Sequence, residues 1–485
     1  MVEGSRSAEA AAAGRLTPSA RRLVVSLIVA CAMFMQNLDS TIIATALPTI
    51  AHALDETALR LNVAITCYLL SLAVFIPISG WTADRFGARR VFSAAVIVFT
   101  LGSIACGLSQ SLWMLVLSRI VQGMGGAMMV PVGRLVLLRT VPKSELVRAM
   151  SWVSVPALIG PVIGPPLGGF IVTYASWRWI FFINIPIGVL GVLLVNLFVE
   201  NTREAAGRPF DLSGFALTGV GLASLAFAFE AGGRGALSWP TTLGLVLGGG
   251  LCLFLYGRHA RRVDHPIIDL SLMRIPTYAM TTTGAFLFRM GMGALPFLMP
   301  LMLQVGFGLS PLSSGLITFA SACGALTNKL CVTPIIRALG FRRVLIGNTI
   351  VSATFLFGYS FFRPTTPHAL IFAALLAGGF FRSLQMTSLN TLSYADVPAA
   401  LLSRATSLTS MAQQLAQSVG VGTGALILYV MLSMHGRAVS SPADFSFALA
   451  VVGAISLVSV PFFLRMAPDA GAEVSGRAAP RASAD

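Results

Sequence analysis

Fourteen apolar stretches, each close to the roughly 20 residues that cross a bilayer as a helix, punctuate the chain. They begin near Leu23, Leu61, Val91, Leu112, Ala149, Ile180, Phe210, Thr241, Tyr278, Leu312, Val344, Ala369, Ala405 and Phe445. In lipid every backbone polar group must be satisfied within the spanning segment, so such a series folds as a helical bundle. The expected class is an all-α polytopic membrane protein with 14 spans. Of 485 residues 56% are hydrophobic and 11% charged, against roughly 25% charged in soluble domains. Residues 1–22 and 467–485 are polar and small, and are expected to be cytoplasmic tails, with nothing apolar before Leu23 to act as a cleavable signal.

The formal charge of +15 is a topology signal. With both ends in the cytosol, 23 of the 33 Lys and Arg residues fall in cytoplasmic segments and 5 in external loops, as the positive-inside rule requires of an even number of spans. The other five, Arg119, Arg134, Arg289, Lys329 and Arg382, are embedded. No basic stripe with interleaved aromatics is left, so no nucleic-acid partner is expected. The six cysteines lie in apolar runs without CxxC spacing and read as packing residues, neither disulfides nor a metal site.

Two segments recur. Arg85–Val91 (RFGARRV) matches Ala338–Val344 (ALGFRRV), and Val141–Ile171 matches Val397–Ile427, pairing Pro142 with Pro398, Arg148 with Arg404, Gly164 with Gly420 and Gly168 with Gly424. The near-constant offset predicts a parallel duplication: an N-terminal six-helix bundle over 23–200, two inserted helices within 201–275, and a C-terminal six-helix bundle over 276–466. Repeats of this kind are typical of transporters that rock two halves about a central site.

Gly80–Arg90 (GWTADRFGARR) resembles the signature loop of the major facilitator superfamily. Leu38–Pro48 (LDSTIIATALP), Leu115–Ala127 (LVLSRIVQGMGGA), Gly160–Gly169 (GPVIGPPLGG) and Trp177–Gly188 (WRWIFFINIPIG) are similar to motifs of its fourteen-helix drug:proton antiporters. Thr82, Ala88 and Ala44 depart from the usual Leu, Arg and Asn. The resemblance implies a monomeric efflux antiporter of the cell inner membrane, using protons and a small-molecule substrate, with no cofactor and with a periplasmic adaptor left open.

Asp39 is the sole deep carboxylate of the N-terminal bundle, 17 residues and about 25 Å along helix 1 from Arg22. Gln36, Asp39, Ser40 and Ile43 share a mostly polar face, which suggests a water-lined cavity. Arg119 sits at comparable depth in helix 4, and Gln122 continues its face. An Asp39–Arg119 pair that opens and closes can take and release a proton; a static pair joining helices 1 and 4 is the alternative. Gly80, Asp84, Arg85, Gly87 and Arg89 form a candidate gate at the cytoplasmic edge, with Asp84 latching to nearby arginines or to a helix N-terminus. Gly160, Gly164, Gly168 and Gly169 form a small-residue face beside Pro165–Pro166, either a gate or a passive packing face.

Arg289, Lys329 and Arg382 stand in C-terminal spans read as free of Asp and Glu, Arg382 and Arg289 both near mid-membrane, with Gln385 and Asn390 close to the face of Arg382. A guanidinium at that depth needs an anion or a ring of carbonyls. Export of organic anions, such as polycarboxylates or their metal chelates, is therefore an alternative to export of amphipathic drugs. An intramembrane enzyme is a remote alternative. All five histidines lie in or beside loops, and there is no HExxH or P-loop.

Overall fold

The computed structural model describes residues 17–200, 209–233, 237–436 and 440–475, so most of both expected tails lies outside the described residues. The N-terminal bundle comprises α1 (Pro18–Ala53), α2 (Ala58–Phe75, prolonged through the turn Ile76–Ile78 into Ser79–Phe86), α3 (Ala88–Gly107), α4 (Leu112–Thr140), α5 (Leu146–Tyr174) and α6 (Trp179–Phe182 followed by Asn184–Phe198). Then come α7 (Leu212–Gly233) and α8 (Trp239–His259). The second bundle holds α9 (Pro276–Gly293 with Leu295–Leu301), α10 (Pro311–Leu339), α11 (Phe341–Ser360), α12 (His368–Leu392), α13 (Leu402–His435) and α14 (Pro442–Leu457 with Val460–Leu464). A short helix, α15, covers Ala472–Ser475.

Local chemistry sets several ends. Ser238, Ser310 and Ser441 are N-caps directly before α8, α10 and α14, each with Pro in the first turn, where its missing N–H costs nothing. Gly87 (φ 91°) and Gly340 (φ 78°) stand at the α2–α3 and α10–α11 junctions, in a backbone region that disfavours a Cβ. They occupy equivalent places in the two RFGARRV-like segments.

Thirteen spans among the described residues are long and apolar enough to cross a membrane by length and composition. The remaining one, α11, begins with Phe341-Arg342-Arg343 and buries Asn348, Thr349 and Ser352, so its polarity is spent inside the bundle. The two bundles repeat one packing scheme. The first and fifth helices pair, as do the second and fourth, third and fourth, third and sixth, and first and sixth, in both α1–α6 and α9–α14. The likeness reaches single bonds. Arg89 at the start of α3 donates to the Asn196 carbonyl of α6 (3.5 Å), and Arg342 at the start of α11 donates to the Leu464 carbonyl of α14 (2.8 Å).

Of the inserted pair, α8 is mostly exposed, burying Gly249 and Tyr256. By contrast α7 packs on α2 and on α13, so it touches both bundles. Phe215 meets Phe75 (ring centroids 6.0 Å apart), and Phe229 fills the space beside Gly422.

The bundles meet on the face where α1 begins and α2 ends, here termed the basic face. There the end of α2 and α4 lie against α13, and α15 lies against the turn Lys143–Glu145. Lys143–Glu473 (3.1 Å), Arg22–Glu145 (3.1 Å), Arg21–Glu200 (2.9 Å) and Arg404–Asp269 are ion pairs of that face.

Candidate functional site

Asp39 and Arg119 are each 1% exposed and form a direct pair, Arg119 Nη1 to Asp39 Oδ2 at 2.6 Å. The same Arg119 nitrogen donates to Gln122 Oε1 (2.6 Å), while Gln122 Nε2 donates to Asp39 Oδ1 (2.8 Å) and to Ser103 Oγ (2.7 Å). Asn184 Nδ2 adds bonds to Asp39 Oδ1 and Ser103 Oγ, both 3.2 Å. The Arg119 guanidinium lies between the rings of Tyr68 (5.1 Å) and Phe181 (5.2 Å), so five helices surround one ion pair. Their approach depends on Gly102, where a Cβ would sit 2.7 Å from the backbone of Gln122.

Asp39 and Ile43 are buried, and Gln36 and Ser40 on that face are half-exposed, so Asp39 sits in a closed polar core. Gln122, fully buried, is bonded into that core. Ser103, Asn184 and Tyr68 were missed. A lone Asn in the run WRWIFFINIPIG was the available signal.

In the last stretch of α2, Gly80 stands at the α2–α13 crossing between the bundles. A Cβ there would lie 2.8 Å from Ser407 Oγ and 2.9 Å from the Ser403 carbonyl oxygen, and the neighbouring Ser79 Oγ is 2.7 Å from Ser407 Oγ. Asp84 pairs with Arg139 at the end of α4 (3.8 Å), a partner the sequence reading did not single out. Arg85 lies over the Trp81 ring (5.7 Å).

The small-residue face of α5 lies against α1. A Cβ on Gly160 would be 3.0 Å from Leu38 N, on Gly164 2.3 Å from Thr41 Oγ1, and on Gly168 2.2 Å from Thr45 Oγ1; Gly169 has open space. The contact is thus within the bundle, beside the helix that carries Asp39. α5 runs unbroken through Pro165 and Pro166, and the Pro165 side chain lies outside the described residues.

Two of the three C-terminal cations take neutral partners. Lys329 Nζ donates to Thr387 Oγ1 (2.7 Å) and Arg289 Nη2 to Asn390 Oδ1 (2.7 Å); Asn390 lies two residues before the end of α12, so the Arg289 head group reaches well toward the basic face. Arg382 has neither a hydrogen bond nor an ion pair among the described residues. Gln385 is fully buried and bonds to Asn348 (3.0 Å) and Thr349 (2.7 Å) of α11, so it joins two helices and stands apart from Asn390. One acid does lie in a C-terminal span. Asp444 closes a capping box with Ser441 in the first turn of α14, on the face opposite the basic one.

Duplicated six-helix bundles in a multi-pass membrane protein, with an ion pair buried in one and cations in the other, define a secondary-transporter architecture. The profile of the Major Facilitator Superfamily matches residues 29–421 and 281–483, and the chain belongs to that superfamily. It is 41% identical over 417 residues, 84% of this chain and 87% of the relative, to the "Putative multidrug resistance protein MdtD" of Salmonella heidelberg and of Salmonella paratyphi A. Among solved structures it resembles the human organic anion transporter MFSD10, with TM-score 0.67, 14% identity, and 91% of this chain and 99% of that one covered. It also resembles the proton:xylose symporter XylE, with TM-score 0.66, 15% identity, and coverage of 95% and 99%.

Proposed function

We propose that this protein is a proton-driven efflux antiporter of the cell inner membrane, both termini cytoplasmic, that exports small amphipathic compounds. The single observation that carries the reading is the Asp39–Arg119 pair, sealed at 2.6 Å in the N-terminal bundle. Burying an ion pair is expensive, and replacing such a pair by apolar residues is often neutral or stabilising. A sole deep carboxylate within a membrane bundle is therefore best accounted for by use. Protonating Asp39 would leave Arg119 a buried cation without its counter-charge, so proton uptake accompanies rearrangement of the network, and release of the proton restores it. The multidrug-resistance relatives support export of drug-like molecules, and the excess of Lys and Arg on the basic face supports its cytoplasmic placement. On this reading the Ser79–Gly80 contact with Ser403 and Ser407 parts whenever the site opens to the cytosol.

The test is counterflow in proteoliposomes of known orientation with an imposed pH gradient. Wild type should move protons against a fluorescent drug such as ethidium or a neutral compound such as chloramphenicol. Asp39→Asn should insert normally and lose gradient-driven movement at least tenfold. Proton-coupled transport at the wild-type rate in that variant overturns the reading. A second reading, export of organic anions, is favoured by one observation: among the described residues Arg289 and Lys329 meet only neutral hydrogen-bonding partners.

A further inference from the structure

Arg134 belongs to the N-terminal bundle, six residues before the end of α4, and is 7% exposed. Its hydrogen-bonding partners belong to the other bundle. Arg134 Nη1 donates to Tyr394 Oη at 3.1 Å, and the guanidinium reaches the Gln413 amide of α13. Gln413 Oε1 accepts from Arg134 Nη2 at 3.4 Å, and Gln413 Nε2 donates to Asn390 Oδ1 at 3.0 Å. Arg289 completes the group, its Nη2 donating to the same Asn390 Oδ1 at 2.7 Å. Two guanidinium groups, one from each half, are thus joined through two neutral amides, Gln413 and Asn390, and no carboxylate pairs with either among the described residues. Arg382 stands outside this group, so the partner of Arg289 is Arg134 and not the second C-terminal arginine.

Like charges drawn together away from water repel, and three neutral acceptors satisfy few of the ten N–H groups two guanidinium ions offer. A carboxylate or phosphate placed between them would accept from both forks at once and remove the repulsion. We propose that Arg134 and Arg289, held in register by Gln413, Asn390 and Tyr394, form a two-cation site for an anionic group of the substrate, assembled when the halves meet at the basic face. This rests on the exporter reading and names a substrate class within it. It also gives Arg134 a role that a helix-packing arginine would not need, since its partners change whenever the halves part.

The test is calorimetric titration of the full-length protein in lipid nanodiscs with 2-naphthoate and with its uncharged isostere 2-naphthamide. Wild type should bind naphthoate at least tenfold more tightly than naphthamide, with an advantage that shrinks as salt rises. Arg134→Gln and Arg289→Gln should each weaken naphthoate at least tenfold and leave naphthamide within twofold. Arg134→Lys should recover part of the loss, because it restores charge without the fork. The inference is overturned if wild type does not discriminate between the probes. It is equally overturned if both Gln variants keep wild-type naphthoate affinity, or if they lose both probes in parallel. Should the Gln variants fold poorly, the probe ratio of wild type and of Arg134→Lys still decides. Selective naphthoate binding without proton-coupled transport would instead remove the antiport reading and leave the site standing.

Discussion

Each member of the Asp39–Arg119 pair is tolerable in the core only because the other is present. Removing one partner of a buried pair leaves an uncompensated charge, at a cost of about 3–5 kcal/mol, whereas Asp39→Asn with Arg119→Gln removes both. The single variants should therefore lower stability by more than the double variant does. A double-mutant cycle followed by thermal melting in detergent checks this; additive losses would mean that the two side chains do not depend on each other. Asp39 and Arg119 were legible in the sequence because a charge inside an apolar run stands out at once. Ser103, Asn184 and Tyr68 were not, since small polar and aromatic residues recur in nearly every span and only packing shows which of them converge. Gln385 misled for a related reason. It lies near Arg382 on a helical wheel, but a helix in a bundle has neighbours on several sides, and its amide turns to Asn348 and Thr349.

Between elements, the close approach of α5 to α1 gives a contrast within two adjacent residues. Gly168→Leu must displace Thr45 and crowd the Ile42 carbonyl, 2.8 Å from the new Cβ, and overpacking of that kind costs about 1–3 kcal/mol. Gly169→Leu meets open space and should change stability by no more than about 0.5 kcal/mol. Equal melting temperatures for the two would show that α5 does not rest on α1 by this face. The inserted helices divide in the same manner. Glu230, half-buried near the end of α7, should be replaceable by Gln with transport retained. Gly422→Leu, whose Cβ would come within 2.2 Å of the Phe229 ring, should wedge α7 from α13 and slow transport several-fold, read as initial rates in vesicles. The helices themselves were readable from hydropathy, and their caps from Ser-Pro and Gly. That α7 touches both bundles was not, because an all-round apolar helix has no pattern to say which of its sides meets protein and which meets lipid.

For the molecule as a whole, the contact of the two halves at the end of α2 can be tested with one covalent link. With the native cysteines removed, Ser79→Cys with Ser407→Cys should form a disulfide on oxidation, since the two oxygens already lie 2.7 Å apart. The linked protein should be held shut on that side, lose at least nine-tenths of its transport and recover it with reductant. Undiminished transport by the cross-linked form would show that this contact need not open. The duplication was visible in the sequence because a helix-ending glycine and its flanking arginines recur at one offset. The Arg134–Arg289 group was not, because its members come from helices of different halves and no motif spans them. That carboxylate-free group also has an electrical meaning. A proton entering and a monovalent anion leaving are displacements of the same sign, so one cycle would carry two elementary charges down the membrane potential, each gaining about 2.3 kcal/mol per 100 mV. A potassium–valinomycin potential, interior negative and without any pH difference, should then drive expulsion of naphthoate up a steeper gradient than that of naphthamide.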